Sequence, residues 1–404
     1  MHQKSPFKKM FKVKFMSVLL CLFISTTTGS NYAASNLDQS RIQSSVDEII
    51  KPLIQKYSIP GIAIGITVEG KNYFYNYGVA SKETKQAVTN TTNFEIGSLS
   101  KTLTATLTSY AQINGQLSLS DSVSKYLPVL RGSSFDNISL LNLATHTAGD
   151  FPLQIPDNVT NYDELMTYYK NWKPTYAADT HRNYSNPGIG LLGIVTAKRM
   201  NMSFEDAMEK ILFPKLGMKN SYINVPEEQM NNYAQGYNKT DEPVRVSPAV
   251  LASEAYGVKT NTTDLIRFID VNMKLIKLDE KLQRAVTNTH TGYFTAREIT
   301  QDLIWEQYPN TTLLQQLLAG NSYDMIYKGV TVTKMVPPLP PQENVWLNKT
   351  GSTSGFGAYA LYNPANKVGI VILANKNYPI DERVTAAYNI LTQLKRSAGI
   401  EKIM

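Results

Sequence analysis

Two stretches near opposite ends of the 404-residue chain carry the same signal. Near the start, GIAIGITVEGKNYFYNYGVAS sets two β-rich runs, 61–68 and 72–79, on either side of Glu69-Gly70-Lys71. Near the end, FGAYALY (356–362) and KVGIVILA (367–374) flank Asn363-Pro364-Ala365-Asn366. Each is a hairpin pattern, β-branched and aromatic residues broken by turn formers. The first is preceded by a helical pattern over 36–57, where Ile42, Val46, Ile49, Ile50, Leu53 and Ile54 recur at three- and four-residue steps. The second is followed by one over 382–395, with Val384, Tyr388, Leu391 and Leu394 on one face. Helix and hairpin at one end, hairpin and helix at the other, predict one antiparallel sheet assembled from both termini, its face covered by the two terminal helices. The middle of the chain must leave this sheet and return to it.

That middle begins with a predicted helix at 99–115, with Leu103, Leu107 and Ala111 inward and Gly115 near its C-cap. Residues 115–205 are dense in helix and turn signals and read as a helical domain. The predicted class is therefore α+β. A discontinuous α/β domain of 35–114 and 206–404 encloses a helical domain of 115–205, and residues 1–34 stand apart. The proline run at 337–341 reads as a rigid loop.

Residues 1–34 have the order of a secretory signal peptide. Lys4, Lys8, Lys9, Lys12 and Lys14 precede a short apolar run, Val18–Ser25, and then small and polar residues up to Ala34. The run is too short to span a bilayer. A secreted chain without stable membrane association is expected, with cleavage near Ala34, although Tyr32 fits the usual small-residue pattern poorly. The charge argument changes accordingly. The chain carries 40 Lys+Arg against 33 Asp+Glu, a net of +7, but five of the lysines and no acid fall in 1–35, so the mature net is +2. No basic patch points to nucleic acid. Cys21, the one cysteine, lies within the apolar run, so the mature protein is expected to be free of disulfides and thiol chemistry. His2, His146, His181 and His290 have no metal-ligand spacing, and neither metal nor cofactor is expected.

Three short pieces carry chemistry. Ser98-Leu99-Ser100-Lys101 is S-x-x-K. A serine hydroxyl is a weak nucleophile that needs a base beside it, and a lysine one helical turn later lies on the same face. Alone the pattern is weak, because Ser5/Lys8 and Ser122/Lys125 match it too, and a helix-capping serine beside a solvated lysine would look the same. Ser98 differs in following Gly97 and opening an apolar-periodic helix. Tyr184-Ser185-Asn186 precedes Pro187-Gly188 and an apolar helix, which places it on a loop at a helix start. Lys349-Thr350-Gly351 sits just before a predicted strand, where a lysine and a hydroxyl on a sheet edge could hold a carboxylate and glycine admits a ligand to the backbone.

Together, and in this order, S-x-x-K, Y-x-N and K-T-G define the penicillin-recognising serine enzymes. With Y-x-N in second place the chain resembles the class C (AmpC-type) serine β-lactamases. The surroundings FEIGSLSK (94–101), HTAGDFPLQIPD (146–157), FPKLGM (213–218), SEAYGVKT (253–260), KTGSTSGFGAY (349–359) and LANKNYP (373–379) resemble that family as well. The resemblance runs from about residue 36 to the end. Glu227–Asn231 mimics the glutamate loop of class A enzymes, but that class's S-D-N is absent.

The resemblance implies a hydrolase of penicillins and cephalosporins that conveys antibiotic resistance; with the signal peptide a periplasmic location is expected, and a monomer is assumed. Ser98 would attack the lactam carbonyl, with Lys101 and Tyr184 sharing the proton and Lys349 facing them. The backbone N–H groups of Ser98 and Ser352 would form the oxyanion hole. Gln154 and Asn186 would hold the substrate's side-chain amide. Lys349, Thr350, Gly351 and Asn377 would line the carboxylate side, and Tyr256 would wall the pocket. Two positions depart from the family pattern: Asn348 stands where many members have His, and Ile380 where many have a carboxylate-binding Asn. The competing expectations are a D-Ala-D-Ala carboxypeptidase or esterase with the same catalytic set, and a penicillin-binding sensor that stays acylated.

Overall fold

The computed structural model describes residues 39–398, with side chains to Leu394. The predicted signal peptide and the first residues of the predicted 36–57 helix lie outside the described residues. Helix α1 (Gln39–Tyr57) leads into strands β1 (Gly61–Val68) and β2 (Lys71–Gly78). Helices α2 (Ser100–Ile113), α3 (Asn186–Arg199), α4 (Ala252–Tyr256) and α5 (Thr262–Asn272) come next in chain order. Strands β3 (Gly292–Ala296), β4 (Ile299–Gln301), β5 (Glu306–Pro309) and β6 (Thr333–Leu339) are followed by β7 (Val345–Ser352), β8 (Gly357–Asn363) and β9 (Val368–Ala374). Helix α6 (Ile380–Ala398) comes last.

The strands form one nine-stranded sheet in the order β6-β3-β4-β5-β7-β8-β9-β1-β2. The two predicted hairpins are β1–β2 and β8–β9, and β1 pairs with β9 along its length, Ile62 opposite Ala374 and Val68 opposite Val368. The turn between β1 and β2 is set by Glu69 (φ 52°) and Gly70 (φ 84°), the two positive φ values that a tight hairpin turn requires. Successive residues of a strand face opposite sides. Ala63, Ala358, Ala360, Val371 and Leu373 pack in one core with Leu265, Ile266 and Ile269 of α5. The alternate residues Ile62, Ile64 and Ile66 are equally buried on the other side, where α1 and α6 pack against each other and the sheet. Within α6, Val384, Leu391 and Leu394 are buried as expected, whereas Tyr388 is only half-buried and Ala387 and Ile390 complete the inward face.

The proline run, expected as a rigid loop, is so only in part: Pro337 and Pro338 fall within a strand, and Pro340 and Pro341 lie beyond it. Thr333–Leu339 is the edge strand of the sheet, paired with β3 through an irregular register. Proline lacks the N–H that a central strand must donate, so an outermost strand is where a sheet tolerates it.

Helix α2 runs between two hydrophobic cores. Leu99, Leu103 and Leu107 enter the sheet-side core. Ala105 and Ala111 enter a second core with Leu119, Val123, Phe135, Leu143, Tyr169, Leu191 and Leu192. A helix buried on every side has no solvent face for its polar groups. Thr102, Thr106 and Thr108 therefore return their hydroxyls to the carbonyls of Leu99, Thr102 and Thr104 at 2.8, 2.8 and 3.0 Å. Gly115 (φ 72°) follows the last turn.

Candidate active site

Ser98 lies in a single 3₁₀ turn, Gly97–Leu99, just ahead of α2. It does not cap the helix: Leu99 occupies the cap position and makes no side-chain cap bond. This removes the alternative of a helix-capping serine. Lys101, one turn on, is fully buried and donates from Nζ to Ser98 Oγ at 2.9 Å and to the Ala255 carbonyl of α4 at 2.8 Å. Burial pushes the Lys101 ammonium down to about 8. Tyr184 opposes that shift and Lys349 adds to it.

Tyr184 enters from the start of α3. Ser185 caps that helix by accepting the Gly188 N–H at 3.0 Å, and Pro187 occupies its first turn, where a missing N–H costs nothing. The Asn186 N–H bonds the Leu153 carbonyl at 3.0 Å, which brings exposed Gln154 beside buried Asn186. The Tyr184 ring is ringed by cations: Lys349 Nζ at 4.9 Å, Lys101 Nζ at 5.2 Å and Arg182 at 5.6 Å from its centroid. Burial alone would push its phenol up. Lys101, Lys349 and the Ser98 hydroxyl outweigh that, against Glu306, and hold the group below its ordinary value of 10.0.

Lys349, Thr350 and Gly351 were expected on a sheet edge. They instead belong to β7, the fifth of nine strands, paired with β8 from Leu347 to Ser352. On the other side β5 stops at Glu306, opposite Asn348. Beyond Asn348 the strand has a free flank inside the sheet, and this flank faces Ser98. Two glycines let the backbones meet there. A Cβ on Gly97 would lie 2.5 Å from the Ser352 nitrogen, and one on Gly351 would lie 1.9 Å from the Ile96 carbonyl oxygen. Gly97 also has φ 51°, in the region that disfavours other residues. The close approach brings the backbone just ahead of Ser98 against the backbone of Gly351 and Ser352.

A cavity of about 580 Å³ opens over these groups. All eleven expected site residues except Lys101 line it: Ser98, Gln154, Tyr184, Asn186, Tyr256, Lys349, Thr350, Gly351, Ser352 and Asn377. Lys101 lies beneath, in contact with Ser98. Ile380 also lines the cavity, so the departure at that position bears directly on it. Asn348 is fully buried behind Lys349, with Nδ2 3.5 Å from the Glu306 carbonyl. The class A look-alike, Glu227–Asn231, lies in a separate turn, Glu227–Asn232, that does not line the cavity. Among the described residues no group of three or more His, Cys, Asp or Glu could hold a metal ion.

Several side chains went unnoticed in the sequence. Glu306 ion-pairs with Arg182 at 3.0 Å and lies 3.8 Å from Lys349 Nζ, all three buried. Arg383, also buried, donates to the Gly351 carbonyl at 2.7 Å, Ser352 Oγ at 2.9 Å and Asn377 Oδ1 at 2.7 Å. It thereby ties Gly351 and Ser352 of β7 to Asn377. His146 packs on Tyr184, ring centroids 4.5 Å apart, and burial and then Arg182 hold its pKa well below 6.5. Arg182 offered only its position two residues before Tyr184. Nothing local marks Glu306 or Arg383, because what recruits them is strand pairing and helix packing.

Known proteins with this arrangement share most of the chain. The β-lactamase family model matches residues 46–395. The chain belongs to the β-lactamase family. A β-lactamase of Providencia stuartii is 50% identical over 354 residues, 88% of this chain and 92% of that protein. A class C β-lactamase solved with cefoxitin superposes with a TM-score of 0.87 at 58% identity, covering 89% of this chain and 100% of that one. A β-lactamase/D-alanine carboxypeptidase from Pseudomonas syringae superposes with a TM-score of 0.86 at 51% identity over 87% and 98%. The fold is that of the penicillin-recognising serine enzymes, and the chain is a class C β-lactamase, a hydrolase of β-lactam amide bonds.

Proposed function

We propose that hydrolysis runs through an acyl-enzyme on Ser98. Ser98 Oγ bonds to the lactam carbonyl carbon and gives up its proton toward Lys101 and Tyr184. The ring C–N bond then breaks, and the nitrogen takes a proton from the same pair. The Ser98 and Ser352 amides hold the carbonyl oxygen as it gains charge. Water next attacks the ester with Tyr184 as partner, the ester C–O bond breaks, and Ser98 recovers its proton. Asn186 and Gln154 orient the side-chain amide, Thr350 and Asn377 the carboxylate end, and Tyr256 walls the pocket. The observation that carries this reading is Lys101 Nζ 2.9 Å from Ser98 Oγ, beside a phenol flanked by two lysines.

Cephalosporins and penicillins are the proposed substrates, and resistance to them the biological consequence; that a relative was solved in complex with cefoxitin supports β-lactam binding at this site. Removal of residues 1–34, a periplasmic location, a monomeric state and the division into 35–114 with 206–404 around 115–205 belong to the same proposal. The order of charged and apolar residues at the N-terminus supports the first two, the density of helix signals in the middle supports the division, and the monomeric state is an assumption.

The test is turnover of a chromogenic cephalosporin by the mature protein. Many turnovers per molecule, abolished in Ser98→Ala, are expected. One stoichiometric burst followed by silence would favour the carboxypeptidase reading, which the Pseudomonas syringae relative's double name keeps in view.

A further inference from the structure

The cavity has a wall whose construction the mechanism leaves unexplained. Val244, Arg245, Val246 and Ser247 line it, on the same cavity as Ser98 and Tyr256. Val244 is anchored by a two-residue pairing, opposite Gly236. From there to α4 the chain is irregular, and Ser247, Pro248 and Ala249 are exposed. Among the described residues, the one backbone group of 245–249 that bonds a distant part of the chain through its N–H is Val246, which donates to Glu95 Oε1 at 2.8 Å.

Glu95 is 1% exposed and sits on the short strand Phe94–Glu95, three residues before the nucleophile. The same Oε1 accepts the Tyr233 hydroxyl at 2.5 Å. The Tyr233 ring in turn carries the Arg245 guanidinium, 4.1 Å from its centroid, and Arg245 donates to the Tyr233 and Ala234 carbonyls at 2.6 and 3.2 Å. Both paths, direct and through Tyr233, lead from one carboxylate oxygen to the wall. Glu95 Oε2 is buried with no partner among the described residues. A buried carboxylate with half its capacity unused is a costly way merely to fill space. Opposite it on the paired strand stands Lys259, whose ammonium bonds the Ile223 carbonyl at 2.7 Å rather than the carboxylate.

We propose that Glu95 is a specificity-determining positioning residue: by holding the Val246 amide and the Tyr233 phenol it pins the Val244–Ser247 wall against the pocket and limits the bulk of the substrate side chain that enters. This rests on the cavity over Ser98 being the hydrolytic site. Its own chemistry is that of a brace, since Glu95 does not line the cavity. Releasing the wall should relieve a steric limit on bulky substrates while leaving the bond-breaking groups in place, because the nucleophile's strand stays held by the pairing of Phe94 and Glu95 with Thr260 and Lys259.

The experiment measures kcat and KM of the mature enzyme for two cephalosporins, one with a small acyl side chain and one with a bulky branched one. In Glu95→Ala the ratio of kcat/KM, bulky over small, should rise about tenfold, as loss of two hydrogen bonds to a buried carboxylate allows. Glu95→Gln keeps an acceptor oxygen and should stay within about threefold of the parent ratio. Tyr233→Phe removes one of the two bonds without touching the nucleophile's strand, covers the case in which Glu95→Ala fails to fold, and should raise the ratio about threefold. An unmoved ratio in folded Tyr233→Phe, or an equal loss on both substrates in Glu95→Ala, would overturn the proposal. Ser98→Ala, inactive on both substrates, secures the underlying site reading independently of the ratio.

Discussion

On one side of the cavity, Lys349 to Ser352 are laddered residue by residue to β8, pressed against Ile96 and Gly97, and braced from behind by Arg383. On another, Val244 to Ser247 are held by a two-residue pairing, the bonds of the Arg245 side chain to the Tyr233 and Ala234 carbonyls, and a single carboxylate on the Val246 amide. On the proposed mechanism the first wall holds the groups that meet developing charge, where small displacements cost catalysis. The second borders only the room left for substrate. Rigidity is concentrated where chemistry needs it, and the wall that sets shape is held by few bonds. Substitutions on the braced wall should therefore lower the rate for every substrate, and those on the pinned wall should alter preference among substrates.

Gly351→Ala is the most severe attack on the braced wall. Its new methyl would meet the Ile96 carbonyl oxygen at 1.9 Å and push β7 away from the nucleophile. The expected loss in kcat is on the order of a hundredfold to a thousandfold, the cost of one misplaced oxyanion donor, and similar for all substrates. A drop confined to bulky substrates would break the comparison. Arg383→Leu comes next. It strips donors from the Gly351 carbonyl, Ser352 Oγ and Asn377 Oδ1 together; a buried acceptor such as the Gly351 carbonyl left bare costs about 1–3 kcal/mol, the two half-buried ones less. Thermal unfolding should shift down by several degrees, and Arg383→Lys should rescue little, since one ammonium cannot replace the guanidinium fork.

The charge pattern on the braced wall makes a pH prediction. Lys349 pulls the pKa of both Tyr184 and Lys101 down. Lys349→Met should therefore raise both. Whichever of the two serves as base, its proton-free form then becomes scarcer at neutral pH, and the acid limb of kcat/KM must move to higher pH. A profile shifted to lower pH would contradict this electrostatic account. The smallest effect is expected at Ile380, which lines the cavity without being able to donate a hydrogen bond. Ile380→Asn should lower KM for some cephalosporins by a few-fold, about the worth of one modest hydrogen bond. An unchanged KM across a panel would remove that position from the carboxylate end.

The sequence by itself determined a good deal. Strong alternation and turn chemistry made β1–β2 and β8–β9 legible, and the three motifs in order identified the residues now found around one cavity. These signals are local, since periodicity and spacing depend on residues close in the chain. Strands β4 and β5, at three and four residues, are too short to show a period, and the proline run of β6 read as loop because nothing local says that it ends at a sheet edge. Only the tertiary structure decided that K-T-G lies within the sheet with one flank freed where β5 stops, that Glu306 and Arg182 stand behind Lys349, and that Glu95 reaches Val246 across 151 positions of sequence. The reason is physical. Hydrogen bonds and ion pairs between distant segments leave no periodic trace in the chain, and they take shape only once the two cores around α2 have brought those segments together.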